Sequence, residues 1–382
     1  MNDHTRAALD DVLRSSVDAG EVPGAVAMVV DRDSILYSNA VGVMDSAGTE
    51  AMRLDAIFRI FSMTKPITSL GIMILQEEGL LSLDDPASDY LPELADREVL
   101  VSVDTDNSSA ITRPASRPIT IRDLLRHTSG FGYAFSSPEV LEISSNSSIP
   151  AREYPILHDP GVRWTYGMST AFLGWIIEEI SEQSLPEFLS SRILDPLEMT
   201  DTSFDLADEN YVRLVATYQR TDTGMEGQPR PDQYHAIVRG DYGLLSTAND
   251  YTRFVQLILG GGERGGTRVI SETSISEMAR DQLEDITVVE QPSTLPYKSR
   301  AFPLGASKDG FGLGFQVSVG QSAGGRPPGT LSWAGIRNTH FWIDPTNGIG
   351  VVLLLQLLPF YDKKAIDIMT TFERTLYDGL VS

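Results

Sequence analysis

The sequence predicts an α/β (α+β) fold in which an antiparallel sheet is flanked by helices and lies against a mostly helical lobe. Strand-like runs lie near both ends of the 382-residue chain, and short turns join neighbouring runs, which favours antiparallel pairing. Helical patterns fill the middle of the chain and both of its ends. We therefore predict an α/β domain from residues 1–80 and 225–382, a mostly helical domain from residues 81–224, and a functional site between them.

The N-terminal elements are a helix and a hairpin. Leu9, Leu13 and Val17 recur at helical spacing and predict an amphipathic opening helix. Two strand-like runs follow at residues 24–30 and 35–37, and the polar turn between them predicts a hairpin.

A strongly apolar helix comes next. Pro66 falls in its first turn, where the missing N–H is tolerated, and Gly79 stands where the helix should end. The apolar residues at helical spacing are Ile67, Leu70, Ile74 and Leu75.

The middle of the chain is predicted to be mostly helical, with loops near residues 102–118 and 142–155 and a Pro/Gly-rich linker at about residues 221–232. The last part alternates strand-like runs with turns and closes with an amphipathic helix through Ile366 and Leu376. The predicted strands there lie at residues 311–319, 330–333, 340–344 and 349–356.

Ser62 and Lys65 form the most informative pair in the chain. Side chains three positions apart share one face of a helix, so the Lys65 amine can reach the Ser62 hydroxyl. An apolar helix around Lys65 should lower the pKa of its amine, which favours a nucleophile with its own base. The alternative is an N-capping serine beside a solvated lysine, but lysine is scarce and no other lysine has a serine three positions earlier.

Two more segments supply what acyl transfer needs in addition to a nucleophile and a base. Tyr166 lies at the entry to a helix and can handle a second proton. Residues 331–336 read as a strand that ends at Gly335, where backbone can approach a ligand closely, so they are the candidate oxyanion site.

Together, Ser62-x-x-Lys65, Tyr166 and Trp333-x-Gly335 resemble the motifs of the serine β-lactamase and penicillin-binding-protein superfamily. They are most similar to those of the family VIII carboxylesterases, which are esterases akin to class C β-lactamases. Segments at residues 124–130, 196–202 and 243–248 look like further landmarks of the superfamily in the same order. The resemblance implies a β-lactamase/transpeptidase-like fold.

The resemblance also implies roles. Ser62 would be the acylated nucleophile, Lys65 its base, and Tyr166 a proton shuttle whose pKa Lys65 would lower. The backbone N–H groups of Ser62 and Ile336 would form the oxyanion hole.

Departures from the β-lactamase pattern indicate the substrate. Trp333 stands where β-lactamases keep a lysine for the substrate carboxylate, and Met168 replaces an amide-binding asparagine. With Gly335 and Tyr133, these residues are the candidate substrate-binding set. We therefore expect cleavage of neutral carboxylic esters with short acyl chains, with weak β-lactam hydrolysis as a minor side activity, although Trp333 could instead be a core residue.

Other readings stay open. The same fold also serves acyltransferases, amide or D-peptide hydrolases, and penicillin-binding sensors that do not turn over. Residues 167–171 are one residue short of a G-x-S-x-G elbow, so an α/β-hydrolase with Ser169 as nucleophile is a competitor, but no strand pattern precedes them.

Composition restricts the remaining classes. With a formal net charge of -23, the chain is not expected to bind nucleic acid. It contains no cysteine and no recognisable metal motif, so we predict neither a metal nor a cofactor. The longest apolar run is too short to span a bilayer, and acidic residues interrupt the N-terminus where a signal peptide would be apolar, so we predict a cytoplasmic protein. The sequence does not predict the oligomeric state.

Overall fold

The computed structural model describes residues 1–104, 109–146, 149–231, 233–303, 309–322 and 324–381. Its strands, in chain order, are β1 (Gly24–Val30), β2 (Ile35–Gly42), β3 (Phe58–Arg59), β4 (Glu98–Asp104), β5 (Ser109–Pro114), β6 (Thr217–Thr221), β7 (Gly224–Gln228), β8 (Leu245–Ser246), β9 (Glu263–Arg264), β10 (Thr267–Arg268), β11 (Asp309–Phe311), β12 (Gln316–Ser318), β13 (Leu331–Gly335), β14 (Thr339–Asp344), β15 (Ile349–Leu354) and β16 (Leu357–Leu358). Its α-helices are α1 (Asp3–Asp18), α2 (Thr64–Glu77), α3 (Ile121–Leu125), α4 (Pro138–Asn146), α5 (Ser169–Ser181), α6 (Leu185–Leu189), α7 (Ala248–Leu259), α8 (Glu272–Ala279) and α9 (Lys363–Val381). Short 3-10 turns lie at Phe61–Met63, Ala87–Asp89, Pro92–Leu94, Ala151–Glu153 and Asp208–Arg213, and a π-helical turn lies at Ser190–Leu194.

The main sheet joins the two ends of the chain. It has seven strands in the order β11-β12-β13-β14-β15-β1-β2, and its neighbours are antiparallel. In its centre, Ala27 of β1 lies opposite Leu353 of β15 on one side and Asn39 of β2 on the other. The predicted antiparallel sheet shared by both ends is confirmed.

Both faces of the sheet are covered, because alternate residues of its central strands enter two different cores. Val26 and Met28 face the core that also contains α2 and α7, whereas Ala27 and Val29 face α1 and α9. The buried residues that pack α1 and α9 on the second face include Leu9, Leu13, Met369, Phe372 and Leu376. The terminal helices therefore flank the sheet as predicted.

Helix α2 is the central element of the lobe beside the sheet. Every residue from Thr64 to Leu75 is buried, and the helix packs against α5 and α6. Gly79 follows the end of α2 in the left-handed region (φ 75°), which glycine adopts at little cost. Both ends of this helix match the sequence prediction.

Two predicted loops are partly regular structure. β4 and β5 pair as a hairpin where a loop was predicted at residues 102–118, although residues 105–108 lie outside the described part of the chain. Val101 and Ile111 are exposed, so this hairpin lacks the one-sided burial that makes strands recognisable in a sequence. The loop predicted at 142–155 contains the end of α4 and a 3-10 turn at Ala151–Glu153, and residues 147–148 are likewise not described.

The predicted linker at residues 221–232 is wrong over β7, which pairs with β6 in a small sheet that also contains β16. The strand is polar, and its residues are exposed or half-buried, so composition resembled that of a linker. Asp232 is outside the described residues, and the predicted domain boundary at residue 224/225 falls within β7. Among the described residues, no helix is both long and apolar enough to cross a membrane.

Candidate active site

Ser62 lies in the 3-10 turn that leads directly into α2. Phe61, the residue before it, has a positive φ of 44°, which is uncommon outside glycine and directs the chain sharply into the helix. Lys65, in the first turn of α2, places its Nζ 3.2 Å from Ser62 Oγ. The structure therefore brings together the hydroxyl and the amine that the sequence paired.

Lys65 is 1% exposed and holds three partners. Its Nζ donates to the backbone oxygen of Asp241 (2.8 Å) and to the hydroxyl of Tyr133 (3.0 Å), in addition to its contact with Ser62 Oγ. Burial lowers the pKa of Lys65 to about 7, although the Asp241 carboxylate opposes the change and the Arg239 guanidinium adds to it.

An uncharged lysine fits this arrangement. It has two N–H groups and one lone pair, so the N–H groups can stay on Asp241 O and Tyr133 while the lone pair faces Ser62 Oγ. This geometry is that of a general base next to a nucleophile.

The Tyr133 side chain contacts Lys65, whereas the sequence predicted that it would line the substrate pocket. Its hydroxyl donates to Asp241 Oδ2 over 2.5 Å and accepts from Lys65, and its ring lies 5.2 Å from Lys65 Nζ. Burial and the Asp241 carboxylate raise the pKa of Tyr133 well above its usual value. Tyr133 therefore keeps its proton, which it directs to Asp241 in a hydrogen bond.

Asp241 and Arg239 were missed at the sequence level. The Asp241 carboxylate is fully buried, and Arg239 donates to both of its oxygens (2.8 and 2.9 Å). The same segment is fixed on α2 by Thr68, whose hydroxyl donates to Gly240 O (2.8 Å). An Arg-Gly-Asp run in a loop carries no periodic signal, so only the folded chain shows that it reaches the lysine.

Tyr166 lies on the other side of Lys65, with its ring 4.8 Å from Nζ, and its hydroxyl is next to the side chains of Ser62 and Trp333. Burial raises the pKa of Tyr166, and the contacts with Ser62 and Trp333 only partly oppose this rise. The expected lowering by Lys65 is not found, because Lys65 Nζ lies over the Tyr166 ring and directs its hydrogen bonds to Ser62, Tyr133 and Asp241. Tyr166 is thus a neutral phenol, suited to donate a proton.

A cavity of about 350 Å³ opens at these groups, within the range of small-molecule sites. Ser62, Tyr166, Trp333 and Ile336 line it. Trp333 is 7% exposed and its indole N–H is near the Tyr166 hydroxyl, but it makes no hydrogen bond of good geometry with any described residue.

The end of β13 lies directly on the turn that carries Ser62. A side-chain carbon added to Gly335 would lie 2.3 Å from the backbone oxygen of Ile60 and equally close to Thr339 Oγ1. Only glycine permits this approach, which brings Ile336 to the same cavity as Ser62. This placement is what an oxyanion hole between Ser62 and Ile336 requires.

Three of the four proposed substrate-binding residues do not line the cavity: Tyr133, which bonds Lys65, and two others that pack elsewhere. Gly335 packs on Ile60, and Met168 is 5% exposed in the hydrophobic core where α5 begins. Neither is among the described residues that line the cavity.

Ser169, the rival nucleophile, is fully buried at the start of α5. Its Oγ lies 2.8 Å from Ser129 Oγ, and none of the histidines in the described residues bonds to it. His158, which is not far along the chain, bonds Thr165 Oγ1 and Asp159 O instead. The Ser169 site therefore lacks the base that an elbow serine needs.

Comparison with known proteins decides the family: the Beta-lactamase family model matches residues 9–373. The chain belongs to the Beta-lactamase family. It is similar to a lovastatin esterase of Penicillium rubens (27% identical, covering 97% of this chain and 98% of that protein). It is also similar to an ML-236A carboxylate methylbutanoyltransferase of Penicillium citrinum (27% identical, covering 97% and 93%). The solved simvastatin synthase LovD of Aspergillus terreus superposes with a TM-score of 0.84 at 23% identity over 98% of both chains.

These findings confirm the predicted superfamily and its β-lactamase/transpeptidase-like fold. The protein is an enzyme of this superfamily, and its relatives include esterases and acyltransferases.

Proposed function

We propose that this protein is a serine carboxylesterase that hydrolyses neutral esters with short acyl chains through an acyl-enzyme on Ser62. The observation that carries the proposal is the 3.2 Å contact between Ser62 Oγ and the buried amine of Lys65, whose pKa is lowered to about 7. Full-length similarity to a lovastatin esterase supports ester chemistry. Trp333, Tyr166 and Phe135 place aromatic rings along the cavity, which favours uncharged substrates.

The proposed reaction begins when Lys65 takes the proton of Ser62 as Oγ attacks the ester carbonyl carbon. The backbone N–H groups of Ser62 and Ile336 stabilise the negative oxygen of the tetrahedral intermediate. When the bond to the alcohol breaks, Tyr166 gives its proton to the departing oxygen, and the Lys65 ammonium replaces that proton. Water then attacks the carbonyl carbon of the acyl-enzyme and gives its proton to the Tyr166–Lys65 pair. Breakdown of the second tetrahedral intermediate releases the acid, and a proton returns to Ser62 Oγ.

The first experiment is turnover of p-nitrophenyl butyrate. We expect steady release of p-nitrophenol that Ser62→Ala abolishes and Ser169→Ala, the matched control, leaves largely intact. Fluorophosphonate labelling and peptide mass spectrometry should place the adduct on Ser62. A single stoichiometric burst would identify a non-turning-over sensor, and loss of activity only in Ser169→Ala would contradict the proposal.

Tyr166 can be tested through the leaving group. p-Nitrophenolate departs without a proton, whereas an alkoxide needs one, so Tyr166→Phe should lower kcat/KM, which reports acylation, by about a hundredfold or more for ethyl butyrate and clearly less for p-nitrophenyl butyrate. Lys65→Ala should lower both by about a hundredfold or more. An equal and less than threefold effect of Tyr166→Phe on the two esters would remove the phenol from the mechanism.

Acyl transfer is the second candidate, favoured by the similarity to a methylbutanoyltransferase. An alcohol in place of water would accept the acyl group by the same steps. Adding benzyl alcohol during turnover of p-nitrophenyl butyrate distinguishes acyl transfer from hydrolysis, because a transferase forms mainly benzyl butyrate and an esterase mainly butyrate.

A further inference from the structure

The active-site cavity does not end at the catalytic groups. β13 pairs with β14 along its whole length but with β12 only through Leu331 and Ser332, so β12 does not cover its edge from Trp333 to Gly335. The cavity is lined both by Trp333, which belongs to the core that contains α2, and by Met369, Thr370 and Glu373 of α9. It therefore passes around this edge into a space beneath α9.

We call this space the far lobe and define it by the residues that its chemistry depends on: Ser322, Arg326, His340, Met369, Thr370 and Glu373.

The two charged residues that define the far lobe, Arg326 and Glu373, neutralise each other. Arg326 Nε lies 3.0 Å from Glu373 Oε2, and its guanidinium also covers the Trp342 ring at 5.4 Å. Glu373 is buried and accepts from the Ser322 hydroxyl as well. Because each charge is neutralised by its partner, the lobe offers no attraction to a charged group, and Met369 and Trp342 give it apolar surface.

His340 lines the lobe and carries a buried ring nitrogen that has no hydrogen-bond partner among the described residues. The residue is 4% exposed, and its Nε2 has no partner among the described residues. Burial lowers the pKa of His340 to about 3, so the imidazole is neutral. A buried polar atom without a partner is costly, and an oxygen of a bound ligand would satisfy it.

A chain of aromatic rings links the proton donor to the far lobe. The Tyr166 ring contacts Phe302 (centroids 5.6 Å apart), Phe302 contacts Phe360 (5.2 Å), and Phe360 stacks on His340 (6.2 Å). The alcohol oxygen of an ester must lie next to Tyr166 to receive its proton. The rest of the alcohol then lies on the side of the cavity that leads along these rings.

We propose that the far lobe binds the alcohol part of the substrate, and that this alcohol is bulky, uncharged and mainly apolar. The inference rests on the proposed esterase function and adds the identity of the leaving group. It holds equally for the accepting alcohol in acyl transfer.

The test compares two butyrates whose alcohols have similar acidity but different size, methyl butyrate and biphenyl-4-ylmethyl butyrate, with acid release followed by titration. We expect kcat/KM to be at least tenfold higher for the biphenylmethyl ester. Thr370→Trp should fill the lobe and lower kcat/KM for the biphenylmethyl ester at least tenfold more than for methyl butyrate, which removes the preference. Thr371→Trp is the matched control, because the neighbouring Thr371 is exposed and should keep the preference.

The outcomes separate the two proposals. Absence of Ser62-dependent turnover of either ester would contradict the proposed function itself. Turnover of both esters with no preference in the wild-type protein would overturn the far-lobe inference, as would a preference that survives Thr370→Trp. If Thr370→Trp loses both activities through misfolding, the ratio of kcat/KM for the two esters in the wild-type protein and in the smaller Thr370→Leu variant still tests the inference.

A second measurement tests His340. The ester of 4-phenoxybenzyl alcohol carries an oxygen where that of 4-benzylbenzyl alcohol carries a methylene. We expect the wild-type protein to favour the oxygen ester and His340→Phe to erase the difference. An unchanged ratio in His340→Phe would contradict binding at this lobe.

Discussion

Two tyrosines flank Lys65, and a carboxylate makes them different. Tyr133 donates its hydroxyl hydrogen bond to Asp241 and can only accept from Lys65, so it holds the amine in place. Tyr166 has no such carboxylate partner in the described residues and lies next to Ser62. The first phenol therefore positions the base, and the second is free to donate to the substrate.

The pH dependence of kcat/KM should report the ionisation of Lys65. Only the uncharged amine accepts the Ser62 proton, so activity should rise with pH around a midpoint near 7, the lowered pKa of Lys65. Asp241 raises that pKa and Arg239 lowers it. Asp241→Asn should therefore move the midpoint to lower pH and Arg239→Gln to higher pH, measured on p-nitrophenyl butyrate.

Opposite shifts distinguish this prediction from simple damage to the fold, which would lower activity at all pH values. The other groups that face Lys65, namely Tyr133, Tyr166 and His127, should not mask it. Burial raises the pKa of both phenols and lowers that of His127 well below its usual value, so all three are neutral near pH 7. Shifts in the same direction for both variants would contradict the assignment of Lys65 as base.

At the scale of elements, the catalytic geometry depends on how closely β13 approaches the 3-10 turn. Gly335→Ala would place its Cβ 2.3 Å from Ile60 O, a backbone atom that cannot move without shifting Ser62 or Ile336. We expect a loss of at least tenfold in kcat and a destabilisation of about 1–3 kcal/mol, measured by turnover and denaturant unfolding. Gly320→Ala is the matched control, because its Cβ would meet nothing within 4 Å. Full activity in Gly335→Ala would show that this contact does not set the oxyanion site.

The sequence predicts some elements better than others for physical reasons. Helix α2 is apolar, has a proline in its first turn and a glycine after its end, so pattern and local chemistry agree. The central strands β1 and β15 are buried throughout and read as nearly continuous apolar runs. The β4–β5 and β6–β7 hairpins bury only a few residues, such as Val99 and Tyr218, so no alternating pattern marks them in the sequence.

The contacts of the active site were likewise predictable only where they are local in the sequence. Ser62 and Lys65 are neighbours along one helix turn, so spacing alone predicts their contact. Asp241 reaches Lys65 across 176 positions of the chain, and Tyr133 reaches it across 68. Local patterns carry no information about such contacts, which is why the partners that hold the lysine emerge only in the folded protein.

At the scale of the whole molecule, the net charge of -23 should govern encounters with charged substrates. We expect kcat/KM for mono-p-nitrophenyl glutarate, an anion, to rise a few-fold as ionic strength increases from about 0.01 to 0.3 M, because salt screens the repulsion. p-Nitrophenyl butyrate, which is neutral, should show no such rise. A fall for the glutarate ester would instead indicate local attraction, for which Arg337 beside Ile336 is the candidate.

The pairing of β1 with β15 also has a consequence for biosynthesis. Ala27 and Leu353 are neighbours in the sheet, so the ribosome must release the chain through Leu353 before this strand pair can form. The nucleophile and its amine are translated early, while Ile336 emerges late. We expect nascent chains not to react with acylating reagents until Leu353 has left the ribosome, which would protect shorter chains from premature modification.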